Sequence, residues 1–355
     1  MRVRRVVAAL IGTAVALAGQ VRFIGKTTYL NNVRAVVTHT FDDSSPAVAP
    51  TLDLLDKYGV KATAFVSTER GPIRELWPRL NRAVADGHEV GSHSRRHQCQ
   101  WPDTEDACHR FYDDAEVKGS RDDILANTSQ AYVWSWAYPC GNCAQYEFVW
   151  RRLAGHGYLA ARTYPGETED RHNVPDLQAW ADNPMAAAYT QVVQKQGGIA
   201  KSGRTSVPEL NAKFDEVYGK GGIYHFVSHP AWLDLGPDAF YERHLAHIAR
   251  RADIWYVPFG PLYAYRTLRD SVEVQPAGRN RFRVSSPLDA KVYDGAVTLE
   301  FQAGSRRAVA VKADGRDLPT RPPDALTDRW NTAYFRQVGP RVWVTVRPNV
   351  LLQFR

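Results

Sequence analysis

The sequence predicts an α/β chain, a distorted (β/α) barrel of about seven parallel strands followed by a C-terminal all-β sandwich-like domain. Three observations carry that reading. From Arg34 to about Thr267, short apolar β-rich segments alternate with longer segments of helical spacing, the pattern of a mostly parallel sheet covered by helices. Seven strand segments can be placed there, enough for a barrel. After Arg269 the helical spacing stops, and short strands separated by turn signals take over.

In chain order, residues 1–18 read as an export signal. Arg2, Arg4 and Arg5 precede the apolar run Val6–Ala18, which ends in the small-residue site Ala16-Leu17-Ala18. Those thirteen apolar residues fall short of the roughly 20 that a bilayer span needs, and no later segment is long and apolar enough to span once the signal is cleaved. Residues 19–33 form a lead-in, residues 34–270 the catalytic domain and residues 271–355 the accessory β-domain. The expected barrel strands are Ala35–Phe41, Lys61–Val66, His88–His93, Ala131–Tyr138, Tyr158–Thr163, Ile223–Ser228 and Ile254–Phe259. Between the first two, Val48, Leu52, Leu55 and Tyr58 recur at helical intervals, and Gly59 is placed to end that helix. Beyond Arg269 the expected strands are Phe282–Ser285, Val297–Phe301, Ala308–Ala313 before the Asp314-Gly315 turn, Thr332–Phe335 and Val342–Val346.

Composition narrows the functional classes. With 44% hydrophobic and 23% charged residues the chain is an ordinary folded protein. Its net charge of +7 is unevenly spread: three positive charges lie in the signal, and Ser271–Arg355 carries 14 Lys+Arg against 8 Asp+Glu, which leaves the middle at −2. The C-terminal arginines are scattered singly without interleaved aromatics, so the pattern is not that of a nucleic-acid binder. Nothing in the sequence sets an oligomeric state. Four cysteines, Cys99, Cys108, Cys140 and Cys143, suit an oxidising compartment and imply two disulfides, with three connectivities open. The localisation that follows is secreted, periplasmic or cell envelope.

In α/β barrels the reactive groups gather at the C-terminal ends of the strands. Here the first strand runs into Thr40-Phe41-Asp42-Asp43 and the third into Gly91-Ser-His93-Ser-Arg-Arg-His97. Adjacent carboxylates at a strand end point in different directions, so one can ligate a metal while the other handles protons. Two histidines at i and i+4 lie on one side of a helical turn and, with one aspartate, make a three-ligand site that leaves a position for water. The sixth strand ends in Ile223-Tyr-His225-Phe-Val-Ser-His229. Period-two alternation puts both histidines on one face, His229 near the mouth and His225 roughly 13 Å further down as a satisfied interior residue.

These residues resemble the polysaccharide deacetylase, or NodB-homology, family of carbohydrate esterases (family 4). The resemblance covers roughly Arg34 to Thr267. It rests on Thr40-Phe41-Asp42-Asp43, on Leu52-Asp-Leu-Leu-Asp-Lys-Tyr-Gly-Val-Lys-Ala-Thr-Ala-Phe-Val66, on His93-Ser-Arg-Arg-His97, on Ala137-Tyr-Pro-Cys-Gly141 and on His229. It implies a hydrolase that removes N-acetyl groups from an extracellular or cell-wall polysaccharide. The implied cofactor is Zn2+, or another divalent metal such as Co2+, Ni2+ or Mn2+, held by Asp43, His93 and His97. Asp42 would be the general base and His229 the general acid, with the backbone N–H of Cys140 at the oxyanion. The Asp-x-x-x-Trp element that supports the histidine acid has its candidate in Asp176 and Trp180, which depart from the pattern by falling far beyond the fifth strand, with a plain loop as the other reading. Two further positions depart from the family pattern: Ser44 stands where a Gly usually follows the aspartates, and Ala137 where many members carry an arginine that orients the base. Either another cation does that work or turnover is slow. Two alternatives stay open, a weakly active or inactive glycan-binding protein on a deacetylase scaffold, and an O-acetyl esterase or small-amide hydrolase.

Overall fold

All seven strands expected of the barrel form in the structure, a computed structural model that describes residues 20–100, 102–162, 185–195, 198–203, 206–236, 239–304, 309–321 and 332–355. The chain divides into two compact units, Arg34–Ala264 and a second that joins the residues up to Val33 with Tyr265–Arg355.

In the first unit the strands are β1 (Ala35–Asp42), β2 (Ala62–Val66), β3 (Glu89–Ser92), β4 (Ser135–Ala137), β5 (Ala160–Arg162), β6 (Met185–Lys195), β7 (Gly198–Gly203), β8 (Ile223–Ser228) and β9 (Ile254–Tyr256). They assemble in the order β5-β4-β3-β2-β1-β8-β6-β7, with β9 added on β1. All neighbours run parallel except β6 and β7, an antiparallel pair that the sequence reading did not include. β9 pairs with Ala35–Val37 while β2 pairs with His39–Asp42, and the sheet curls into a half-barrel with helices over it. All eight residues of β1 are buried, as expected of a central parallel strand covered on both faces. Helix α1 (Val48–Tyr58) ends at Gly59, whose φ of 69° only glycine adopts cheaply. The expected last strand stops at Tyr256 instead of Phe259, because Pro258 cannot donate to a ladder and Phe259 opens helix α2 (Phe259–Ser271).

One buried acid sits at the start of β3. Glu89 accepts hydrogen bonds from Thr63 Oγ1 (2.6 Å), Ser135 Oγ (2.8 Å) and the Gly260 N–H (2.7 Å). A Cβ at position 260 would lie 2.1 Å from Glu89 Oε1, so only glycine lets the backbone come this close. Burial pushes the Glu89 carboxyl up to about 7 against those three donors. The folded chain therefore keeps a proton that the unfolded chain gives up above its ordinary value of 4.5. The stabilisation is complete below that pH and is lost as pH rises through about 7, at most about 3 kcal/mol. Relative to the unaltered protein, Glu89→Gln is expected to gain that much stability between pH 5 and 8, measured by denaturant unfolding at both values. A difference that does not change with pH would refute the assignment.

The second unit is a β-sandwich. Arg22–Lys26, Val297–Gln302, Arg341–Val346 and Tyr334–Val338 form one antiparallel sheet in that order. Glu273–Pro276, Arg281–Ser285, Val350–Phe354, Val311–Ala313 and Arg316–Asp317 form the other. Phe301 of the first sheet packs between Phe282 and Phe354 of the second, with ring centroids 5.0 and 4.7 Å away. Residues 19–33, read from sequence as a lead-in, hold the edge strand Arg22–Lys26 of this sandwich.

Candidate metal centre and active site

β1 delivers the two aspartates in different directions. Asp42 ends the strand with its side chain 4% exposed, whereas Asp43, at φ 77°, turns out of the strand with its side chain 41% exposed. A non-glycine residue in the left-handed region persists only where its surroundings over-determine it. Ser44 contributes to that: its Oγ donates to the Ser67 carbonyl and accepts from the Ser67 N–H, both at 3.0 Å, which ties the ends of β1 and β2.

β3 delivers the histidines, but not on a helical turn. Residues 93–97 form an irregular loop with Ser94 at φ 65° and His97 at φ 50°. The polar residues in the motif compete with helix formation: Ser94 Oγ accepts from the His97 N–H (2.9 Å), and buried Glu116 accepts from the N–H groups of Arg95 (3.0 Å) and Arg96 (3.1 Å). The loop still brings the rings together, with centroids 4.6 Å apart. Asp43 Oδ1 lies 3.2 Å from His97 Nε2 and 3.8 Å from His93 Nε2. His93 Nδ1 donates to the Ala137 carbonyl at 2.8 Å, which fixes its tautomer and leaves Nε2 directed at Asp43. Burial pushes His93 down to about 4, which keeps the ring neutral, the form a metal ligand needs. Arg70 Nη1 faces both the Nδ1 and the carbonyl of His97.

Asp43, His93 and His97 each offer a ligand atom within 4.8 Å of the others. Among the described residues two further groups meet that criterion, but both rely on cysteines held in disulfides, Cys99–Cys140 and Cys108–Cys143, whose sulfurs are not free thiolates.

Beside this trio stands the residue that sequence reasoning missed. Arg162, the last residue of β5, is buried and forms an ion pair with Asp42. Its register partner on β4 is Ala137, the position at which the family's arginine is absent. The available signal was a lone arginine closing the apolar run Leu159-Ala160-Ala161. Burial alone would raise the Asp42 carboxyl, but Arg162, with His93 and His229, overcomes it and holds Asp42 at about 2. His229 follows β8, its Nε2 4.0 Å from Asp42 Oδ2 and its ring 6.4 Å from that of Trp232. His225 is fully buried with Nε2 2.9 Å from Thr40 Oγ1, the interior position expected of it. Cys140, after Pro139, sits in a 3-10 turn at φ 55°. Asp176, Trp180 and the export signal of residues 1–18 lie outside the described residues.

Residues 31–160 match the family model described as polysaccharide deacetylase. Those residues belong to the polysaccharide deacetylase family. The matched segment contains Asp42, Asp43, His93, His97 and Cys140, while Arg162 and His229 fall beyond its end. That family is one of hydrolases that deacetylate polysaccharides, and the match supports a deacetylase hydrolase as the enzyme class. Among solved structures it is similar to the Xyl-CE4 domain of a multidomain xylanase from the hindgut metagenome of Trinervitermes trinervoides, at 15% identity over 69% of this chain and 94% of that one, TM-score 0.41. It is also similar to a peptidoglycan deacetylase from Bacillus subtilis, at 17% identity over 68% and 95%, TM-score 0.41. A third is the catalytic domain of a peptidoglycan N-acetylglucosamine deacetylase from Eubacterium rectale, at 15% identity over 63% and 86%, TM-score 0.38. Comparison with curated proteins found no match. No helix among the described residues is long and apolar enough to cross a membrane.

Proposed function

We propose that the enzyme removes N-acetyl groups from an extracellular or cell-wall polysaccharide of N-acetylated amino sugars. The divalent cation, zinc in the first instance, would be held by Asp43, His93 and His97. The observation that carries this reading is the convergence of three ligand side chains with the Arg162–Asp42 pair and His229 at the strand ends of one barrel. The donor set suits such a cation: two imidazole nitrogens and a carboxylate oxygen leave a fourth position for water. When bound, the cation lowers the pKa of a water and polarises the acetyl carbonyl.

The chain's own residues handle the protons and the developing charge. Asp42, ionised at every working pH, accepts a proton from the attacking water as the new C–O bond forms. The Cys140 N–H donates to the oxyanion of the tetrahedral intermediate. His229 protonates the amine nitrogen as the C–N bond breaks and then takes the proton that Asp42 accepted, a role supported by the 4.0 Å between its Nε2 and Asp42 Oδ2. That transfer restores both groups and releases acetate and a free amine. A carboxylate held at about 2 is a weak base, so fixed geometry contributes more than basicity here. Arg162 supports this reading over an inactive scaffold, since a cation stands beside the base although position 137 lacks one. The two disulfides, together with the apolar run after the N-terminal arginines, support export.

The decisive experiment is an acetate-release screen over chitin oligomers, peptidoglycan, β-1,6-linked N-acetylglucosamine, galactosaminoglycans and acetylxylan. Release from an amino-sugar polymer is expected, lost on chelation and restored by zinc or cobalt. Release from acetylxylan alone would make the enzyme an O-acetyl esterase. His93→Ala is expected to lose the cation by elemental analysis, and full occupancy in that variant would show the ligand set to be wrong.

A further inference from the structure

The loop that carries His93 and His97 is tied at its start to the end of β4 and at its far end to the turn that follows β4 and carries Cys140. At its start, His93 Nδ1 donates to the Ala137 carbonyl at 2.8 Å. At its end, Cys99 is joined to Cys140 by a disulfide that spans 41 residues of sequence. His97 lies between these two tethers, and both His97 and Cys140 hold left-handed φ values, 50° and 55°, that a free loop would relax. Further along, the same two segments are joined by hydrogen bonds from the Gln100 N–H to Asn142 Oδ1 (3.0 Å) and from the Cys143 N–H to the Asp103 carboxylate (3.0 Å).

The two bridges differ in their surroundings. Cys108 and Cys143 are both fully buried in the core of the barrel unit. Cys99 is partly exposed and Cys140 exposed, so their bridge lies open to solvent beside the candidate ligands. One bridge belongs to the packed interior and the other to the rim of the site.

We propose that the Cys99–Cys140 disulfide is a positioning element of the active site, holding the oxyanion turn against the metal-ligand loop, so that the enzyme works only while this bridge is oxidised. An external dithiol opens it: two electrons and two protons pass to the sulfurs, Cys99 and Cys140 are released as thiols, and the dithiol leaves as its own disulfide. The buried Cys108–Cys143 bridge is out of reach of the same reagent while the fold stands. The inference rests on the deacetylase reading of the site, since it takes the Cys140 N–H as the oxyanion donor.

The test uses the zinc-loaded full-length protein, with acetate release and the rate of zinc loss to a chelator as readouts. Cys99→Ala with Cys140→Ala keeps the Cys140 backbone N–H, so any loss reports positioning and not a missing donor. That double variant is expected to lose kcat by about tenfold or more and to release zinc about tenfold faster, the usual scale for removing support around a metal ligand. Cys108→Ala with Cys143→Ala is expected to lower Tm with kcat unchanged below the transition. Brief treatment of the unaltered enzyme with dithiothreitol, with the opened bridge identified by alkylation and mass spectrometry, should reproduce the first result without any substitution. Unchanged kcat and unchanged zinc release in the first variant and in the reduced enzyme would overturn the proposal while leaving the deacetylase reading intact. An oxidised enzyme that releases no acetate from any polymer defeats that reading, and zinc release alone then decides whether the bridge positions the ligand loop.

Discussion

Asp42→Asn is expected to keep its cation and to lose acetate release by a factor on the order of 100 to 10,000, the usual range for removing an acid-base group. The two adjacent carboxylates have different surroundings. Asp43 Oδ1 faces both histidine Nε2 atoms, at 3.2 and 3.8 Å, and its side chain is 41% exposed. Asp42 is buried, paired with Arg162, and turned with its other oxygen toward His229. Replacing one Asp42 oxygen by an amide nitrogen preserves volume but removes the charge that Arg162 neutralises and the lone pairs that receive the proton. Asp43→Asn alters a ligand instead, so cation occupancy should fall first and activity with it. Elemental analysis and acetate release on the same preparations separate the two. Loss of the cation in Asp42→Asn, with both cation and activity kept in Asp43→Asn, would mean the roles are exchanged.

How much of this site could be read in the sequence depended on how local each contact is. The paired aspartates and the His93/His97 spacing are encoded within a few residues, and β1 and β3 bring them to one rim. The shape of the histidine loop was misread because spacing alone suggests a helical turn, whereas Ser94 and the distant Glu116 satisfy its backbone in an irregular one. The pairing of the four cysteines had no local signal at all. Arg162 was missed because its partner is 120 residues away and its reach into the barrel depends on the register that sets it beside Ala137. The edge strand Arg22–Lys26 was missed for a related reason. It is five residues long, its register shifts between Phe23 and Gly25, and its partner strand is Val297–Gln302 at the other end of the chain. Short segments that owe their structure to remote partners carry little pattern of their own.

Arg162→Met is expected to destabilise the fold by about 3 to 5 kcal/mol and to cut kcat/KM by a factor on the order of 100, because it leaves the Asp42 carboxylate buried without its principal cation. Arg162 is itself almost fully buried, with its guanidinium 5.2 Å from the ring of Phe65, so Met keeps much of the packing and removes the charge. In the unaltered enzyme Asp42 is held at about 2, below its ordinary 3.8, so its contribution to stability is complete above about pH 4 and fades as pH falls toward 2. Without Arg162, burial dominates and the Asp42 carboxyl moves upward, so the acid limb of the kcat/KM profile should shift to higher pH, measured below the variant's own Tm. A structural role alone would lower Tm without moving that limb. Arg162→Lys keeps the charge but not the planar fork, and should fall between the two. The reciprocal exchange is the most demanding arm: Ala137→Arg added to Arg162→Met returns a guanidinium from the neighbouring strand at the same register, and it should recover part of the activity and lower the acid limb again. An unshifted acid limb and kcat/KM within twofold of the unaltered enzyme in Arg162→Met would show that Asp42 is set by His93, His229 and the bound cation without Arg162.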